Sequence, residues 1–156
     1  VMKFRLRSVV RVLQLQLLLL ALACQTALAD ELTGILTVEV SGLQDATGNV
    51  YIAVYDSDST WLSDRTVLSK KVAISEALDG ELVGTELQMP LGEYALSVFY
   101  DKDDDGELDT NVIGMPKEPI ALSNNAVAKF GPPKYADAVF TLGAEPMIQR
   151  ISMKEL

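Results

Sequence analysis

The chain has 156 residues, with 22 acids against 13 bases, one Cys, no His and a net charge of −9. That sign of charge excludes a nucleic-acid partner held by phosphate contacts, and makes an anionic lipid surface a poor one. Without His, neither a Ser–His nor a Cys–His nucleophile can be built, and transition metals lose their preferred ligands.

The chain opens with Lys3, Arg5, Arg7 and Arg11, then the apolar run "VLQLQLLLLALA", then "ALA" at Ala27 to Ala29. This is the basic, apolar and small-x-small order of a secretory signal peptide. The apolar run is shorter than the ~20 residues a comfortable membrane span needs. The expected domains are a signal peptide over 1–29, cleaved after Ala29, and one folded unit over 30–156. The rival reading is lipoprotein processing at Cys24, with Ala21 three residues before it where Leu is preferred. Either route predicts a periplasmic or secreted protein with no membrane span after cleavage. All 22 acids and nine of the bases lie beyond residue 29, so the mature chain carries −13. It also has no Cys, so no disulfide can brace it.

From residue 31 onward, period-2 alternation dominates. "ILTVEVSGL" puts Leu36, Val38 and Val40 on one face. After a turn at "DATGN", "VYIAVYD" puts Val50, Ile52 and Val54 on one face. "KKVAIS" is a short strand around Val72 and Ile74. "LVGTELQM" aligns Val83, Thr85, Leu87 and Met89. "PLG" turns the chain into "EYALSVFY", which aligns Tyr94, Leu96, Val98 and Tyr100. "ADAVFTL" and "PMIQRISM" complete the set. About seven strands and no long 3.6-period segment predict an all-β fold. It is a single antiparallel β-sandwich of immunoglobulin-like or transthyretin-like type with one long loop.

Two stretches do not alternate. One is "DSDSTWLSDRT" (56–66), which carries the only Trp. The other runs from Asp101 to Lys134, and a loop of that length in a compact domain is usually functional. It opens with "DKDDDGELD", in which Asp101, Asp103, Asp104, Asp105, Glu107 and Asp109 crowd nine positions.

Counted from Asp101, Asp stands at positions 1, 3, 5 and 9 and Gly at 6. That is the spacing of a calcium loop, in which carboxylates at 1, 3 and 5 converge and Gly permits the sharp turn. Position 7, Glu107, offers its carbonyl, and position 9, Asp109, a direct or water-mediated oxygen. Leu108 would pin the loop to the core. The candidate metal ligands are therefore Asp101, Asp103, Asp105, Glu107 and Asp109, with Ca²⁺ as the cofactor. Magnesium is a weaker match, since it seldom takes an all-protein cage. Two things depart from the pattern. Position 12 is Val112 where a bidentate Glu is needed, and a strand rather than a helix leads in. Asp109, Asn111 and Glu118 are the residues that could close the shell. The competing reading is a solvated acidic turn, since Asp and Gly form turns unaided.

Other chemistry is thin. Ser69 and Lys70 in "SKK" point to opposite faces of a strand, so they form no dyad. Carboxylate pairs for glycoside hydrolysis are so abundant that they signal nothing. Trp61 either stacks on a sugar or plugs one end of the sandwich. "FGPPK" (130–134) reads as a rigid run into Tyr135.

"LGEYALSVFYD", "DGELDTN", "GMPKEP", "SNN" and "GPPKYADAVF", in that order, resemble an exported bacterial family, domain of unknown function 2141. Weaker likeness extends to "TGNVYIAVYD". Members typically have His where this chain has Tyr100, and often Asn where it has Asp103 and Asp105. They tend to have an aromatic where it has Leu122. The resemblance implies an exported β-domain and supplies no activity; the extra Asp favour a cation. The expected function is an exported, non-enzymatic interaction or envelope module with a calcium loop. Its partner would be a protein or a glycan, and its default state a monomer. The alternative is a small-ligand or glycan binder using Trp61 and the 112–134 loop.

Overall fold

The structure is a computed structural model that describes residues 32–43, 47–127 and 131–154. The expected signal peptide, Cys24, part of the "DATGN" turn and Phe130 lie outside the described residues. Among the described residues, no helix is long and apolar enough to cross a membrane.

Among the described residues, nine strands form two sheets. One has the order β4-β5-β1-β9, built from β4 (Leu78–Asp79), β5 (Leu82–Pro90), β1 (Thr33–Ser41) and β9 (Met147–Ser152). The other has the order β3-β2-β6-β7, built from β3 (Leu68–Ala73), β2 (Asn49–Tyr55), β6 (Gly92–Asp101) and β7 (Ile120–Leu122). Strand β8 (Phe140–Leu142) pairs with the first residues of β6. The all-β sandwich expected from the alternation is what forms.

The predicted inward residues fill the core. Leu36, Val38, Val40, Val50, Ile52, Val54, Leu96 and Val98 are all buried and pack in one cluster with Ile74, Leu142 and Ile151. Removing water from such faces, at roughly 25 cal/mol per Å², drives the two sheets together.

The structure corrects the sequence reading in three places. The pairs are not all antiparallel, because β9 runs parallel to β1 from Leu36↔Met147 to Ser41↔Ser152. Alternation fixes which face a side chain takes and not which way its neighbour runs. Next, "ADAVFTL" is not one strand. A single helical turn, Tyr135–Ala138, precedes β8, closed by the Val139 N–H donating to the Tyr135 carbonyl. Lastly, the stretch from 101 to 134 is not one irregular loop. It contains β7, which pairs with Ser97–Phe99 of β6, and a 3-10 turn at Ser123–Asn125. At three residues each, these elements are too short to leave a period in the sequence.

That 3-10 turn accounts for the "SNN" motif as a clip. The Ser123 hydroxyl is fully buried, accepts the Leu96 N–H at 2.9 Å and donates to the Ala138 carbonyl at 2.6 Å. Asn124 and Asn125 both hold positive φ, a conformation Asn tolerates better than most residues. The Asn124 side chain donates to the Val139 carbonyl. Asn125 donates to the Arg150 carbonyl and accepts the Ser152 N–H, so a side-chain amide covers the outer edge of β9. An edge strand left bare would invite pairing with another chain.

Candidate metal centre

Strand β6 delivers Asp101 to the mouth of the acidic loop. Its carboxylate is fully buried, which an unpaired charge could not sustain. Backbone donors compensate it. Asp101 Oδ1 accepts the Asp104 N–H at 2.7 Å, and Oδ2 accepts the Gly106 N–H at 3.0 Å. The chain therefore curls around the Asp101 side chain. Gly106 sits at φ +82°, where an L residue is strained, and an added Cβ would lie 3.2 Å from the Tyr51 hydroxyl. Behind the loop, Gly48 approaches so closely that a Cβ there would overlap the Asp101 carbonyl oxygen.

The curl gathers three carboxylates. Asp101, Asp103 and Asp105 each place an oxygen so that all three lie within 4.8 Å of one another. Such a group could hold a metal ion. The two Asp oxygens that reach it from outside, Asp103 and Asp105, are exposed. Glu107 and Asp109 are not in that group. The Glu107 N–H donates to Asp105 Oδ1, and the Asp109 carboxylate faces Lys117 Nζ at 3.4 Å. Leu108 is half-buried.

Of the three candidates for closing the shell, Glu118 stands out. It is buried, and its two oxygens accept the Lys102 N–H at 3.3 Å and the Asp109 N–H at 3.2 Å. Glu118 thus ties the two ends of the acidic loop together. Burial pushes its carboxyl above the ordinary Glu range, and the charges of Asp101 and Asp103 push it further, against the pull of the two N–H donors. Those charges mark Glu118 as a neighbour of the triad. Asn111 is otherwise engaged, with its Oδ1 accepting the N–H groups of Ile113 and Met115.

Asp104, which the spacing argument left without a role, fastens the loop to its sheet. It has φ +63°, and its Oδ1 accepts Asn49 Nδ2 and Lys71 Nζ, both at 2.6 Å. Lys71 also lies 5.4 Å from the Tyr51 ring centroid, and Tyr51 stacks on Phe99 at 4.8 Å. The Lys71 hydrogen bond and charge hold the Asp104 carboxyl below its ordinary range, and Asp104 in turn raises the Lys71 ammonium. No local spacing could show this partnership, since the two residues are 33 positions apart.

Trp61 lies elsewhere, half-buried in the 56–66 excursion. Its indole N–H donates to the Pro133 carbonyl at 2.8 Å, and its ring meets Tyr55 and Tyr135 edge-on. Its donor and its Tyr135 contact join the 56–66 and 131–138 segments, and its Tyr55 contact holds it to the end of β2.

Residues 38–149 match the family model described as uncharacterized protein conserved in bacteria, DUF2141. The chain belongs to that family. No curated protein matches it, and no solved structure does. The matched span contains the whole acidic loop, Glu118 and the Ser123–Asn125 clip.

Proposed function

We propose that this DUF2141 chain is an exported, non-enzymatic β-sandwich interaction module whose Asp101–Asp109 loop is ordered by Ca²⁺. The observation that carries the metal reading is the convergence of Asp101, Asp103 and Asp105 around a Gly106 turn. Calcium suits an all-oxygen, irregular, partly exposed shell, and the absence of His and mature Cys leaves softer metals without ligands. Asp101, Asp103 and Asp105 would hold the ion, with Glu118 the nearest reserve carboxylate. The export reading rests on the signal-like residues 1–29, and the non-enzymatic reading on the lack of His.

Thermal melting of the mature chain tests the metal. A site with Kd of roughly 10⁻⁴ to 10⁻³ M, the range of extracellular modules, is stabilised by about 1.4 to 2.7 kcal/mol in 10 mM Ca²⁺. That is a shift of several degrees in Tm, abolished by chelator and by Asp103→Asn. An unchanged Tm at millimolar Ca²⁺ sinks the metal reading. Export is checked by fractionating cells that express the chain with and without residues 1–29.

A further inference from the structure

We propose that the 111–115 turn is an apolar wedge that docks, with the calcium-loaded loop beside it, on a phospholipid surface. This rests on the calcium reading above and names the partner of that site. Val112, Ile113 and Met115 have relative exposures of 105%, 77% and 57%. The first two are the most exposed large apolar residues among the described residues. Three such side chains in five positions are a concentration, unlike apolar residues scattered singly over a surface.

The turn is built to hold them out. Thr110 and Pro116 form a bridge at its base. The Asn111 N–H donates to the Met115 carbonyl at 2.8 Å, and the Gly114 N–H to the Asn111 carbonyl at 2.9 Å. The Ile113 and Met115 N–H groups both donate to Asn111 Oδ1. Four backbone N–H groups of the tip are therefore satisfied within it. That is the condition for entering a medium with no water to pair with. The tip grows directly from the acidic loop. The Lys117 N–H donates to the Asp109 carbonyl, and Glu118 holds the Asp109 N–H.

A lipid surface fits better than a protein groove. A specific protein interface buries roughly 800 Å² per partner, far more than three side chains on a narrow turn supply. Charge supplies the second argument. Six carboxylates between 101 and 109 repel phosphate while the loop is empty. A bound Ca²⁺ cancels two of those six charges and sets a cation beside the tip that a phosphate oxygen can ligate directly. Val112 occupies the twelfth position, where a closing carboxylate is absent, so a lipid phosphate oxygen can complete the shell.

The test is sedimentation of the mature chain with phosphatidylglycerol-containing vesicles, in millimolar Ca²⁺ or chelator, alongside Ca²⁺ melts without lipid. The expected result is Ca²⁺-dependent pelleting that weakens roughly tenfold or more in Ile113→Asp, since one buried aliphatic side chain is lost. Ile113→Asp should keep its Ca²⁺ melting shift, which shows that it folds and loads. Val127→Asp, exposed but outside the tip, should pellet like the wild type. A Ca²⁺ melting shift without pelleting overturns the docking and leaves the calcium reading intact, pointing to a protein groove. Equal pelleting in chelator, or pelleting indifferent to Ile113→Asp, also overturns it. Absence of both shift and pelleting removes the two readings together.

Discussion

The connection between β6 and β8 contains two polar clusters that behave in opposite ways. At the Ser123–Asn125 clip, every named side-chain group meets backbone of β6, β9 or the 138–139 junction. At the Asp101–Asp109 loop, one carboxylate is buried and compensated, while Asp103 and Asp105 stand exposed beside it. The clip is neutral and closed, so it serves the fold. The loop concentrates like charge, which a turn needs no more than it needs Asn or Ser. Polar residues that close on backbone read as structure, and polar residues that converge on one another read as a site for something else.

The comparison breaks first at the clip. Ser123→Ala would leave the Leu96 N–H and the Ala138 carbonyl buried without their hydroxyl partner. Each unsatisfied group costs about 1 to 3 kcal/mol, so the expected loss for the two is about 2 to 6 kcal/mol in urea unfolding. The Ca²⁺ melting shift should survive, because nothing in the clip touches the loop carboxylates. A large change in that shift would mean that the two clusters are coupled and do not act separately.

The loop offers the converse test. Gly106→Ala forces an L side chain to φ +82° and toward the Tyr51 hydroxyl, at a cost of about 1 to 2 kcal/mol. The same strain disturbs the N–H that compensates Asp101 Oδ2. Stability should fall less than in Ser123→Ala, but the Ca²⁺ response should fall more. Melting each variant with Ca²⁺ and with chelator separates the two effects. Parallel losses would show that Gly106 serves the fold alone.

The two clusters were unequally legible in the sequence. The long strands and their inward faces followed from alternation, because burial on one face of a pleated strand imposes period 2; the helical turns at Ile74–Ala77 and Tyr135–Ala138 did not. The triad followed from DxDxDG spacing, because it is a local feature. Strand β7 and the role of Ser123 left no signal, since three residues carry no period and the partners, Leu96 and Ala138, lie far away in sequence. The parallel β1–β9 pair was hidden for the reason that alternation is blind to direction. Asp104 was hidden by its own neighbours. In a run of four acids within five positions, nothing distinguishes the one whose charge turns back to the sheet.

That residue yields the gentlest test. The Asp104 carboxyl is held below its ordinary range by Lys71, so its folded state binds a proton less readily than its unfolded state. Its contribution is present above the unfolded value of about 3.9 and is lost as pH falls through the lowered folded one. For Lys71 the sign is opposite. Its raised ammonium contributes below the unfolded value of about 10.4, and that contribution is lost as pH climbs through the raised one. The pair therefore acts across the whole neutral range. Both side chains are about half exposed, so water and salt screen it and the effect is small. Lys71→Met should lower the urea midpoint slightly at pH 7 in low salt, with the difference shrinking in 1 M salt or near pH 2. Its Ca²⁺ response should be retained, since Asp104 faces the sheet and not the triad. If Lys71→Met instead strengthens Ca²⁺ binding, Asp104 is a ligand that Lys71 competes for, and the boundary between fastening and site moves by one residue.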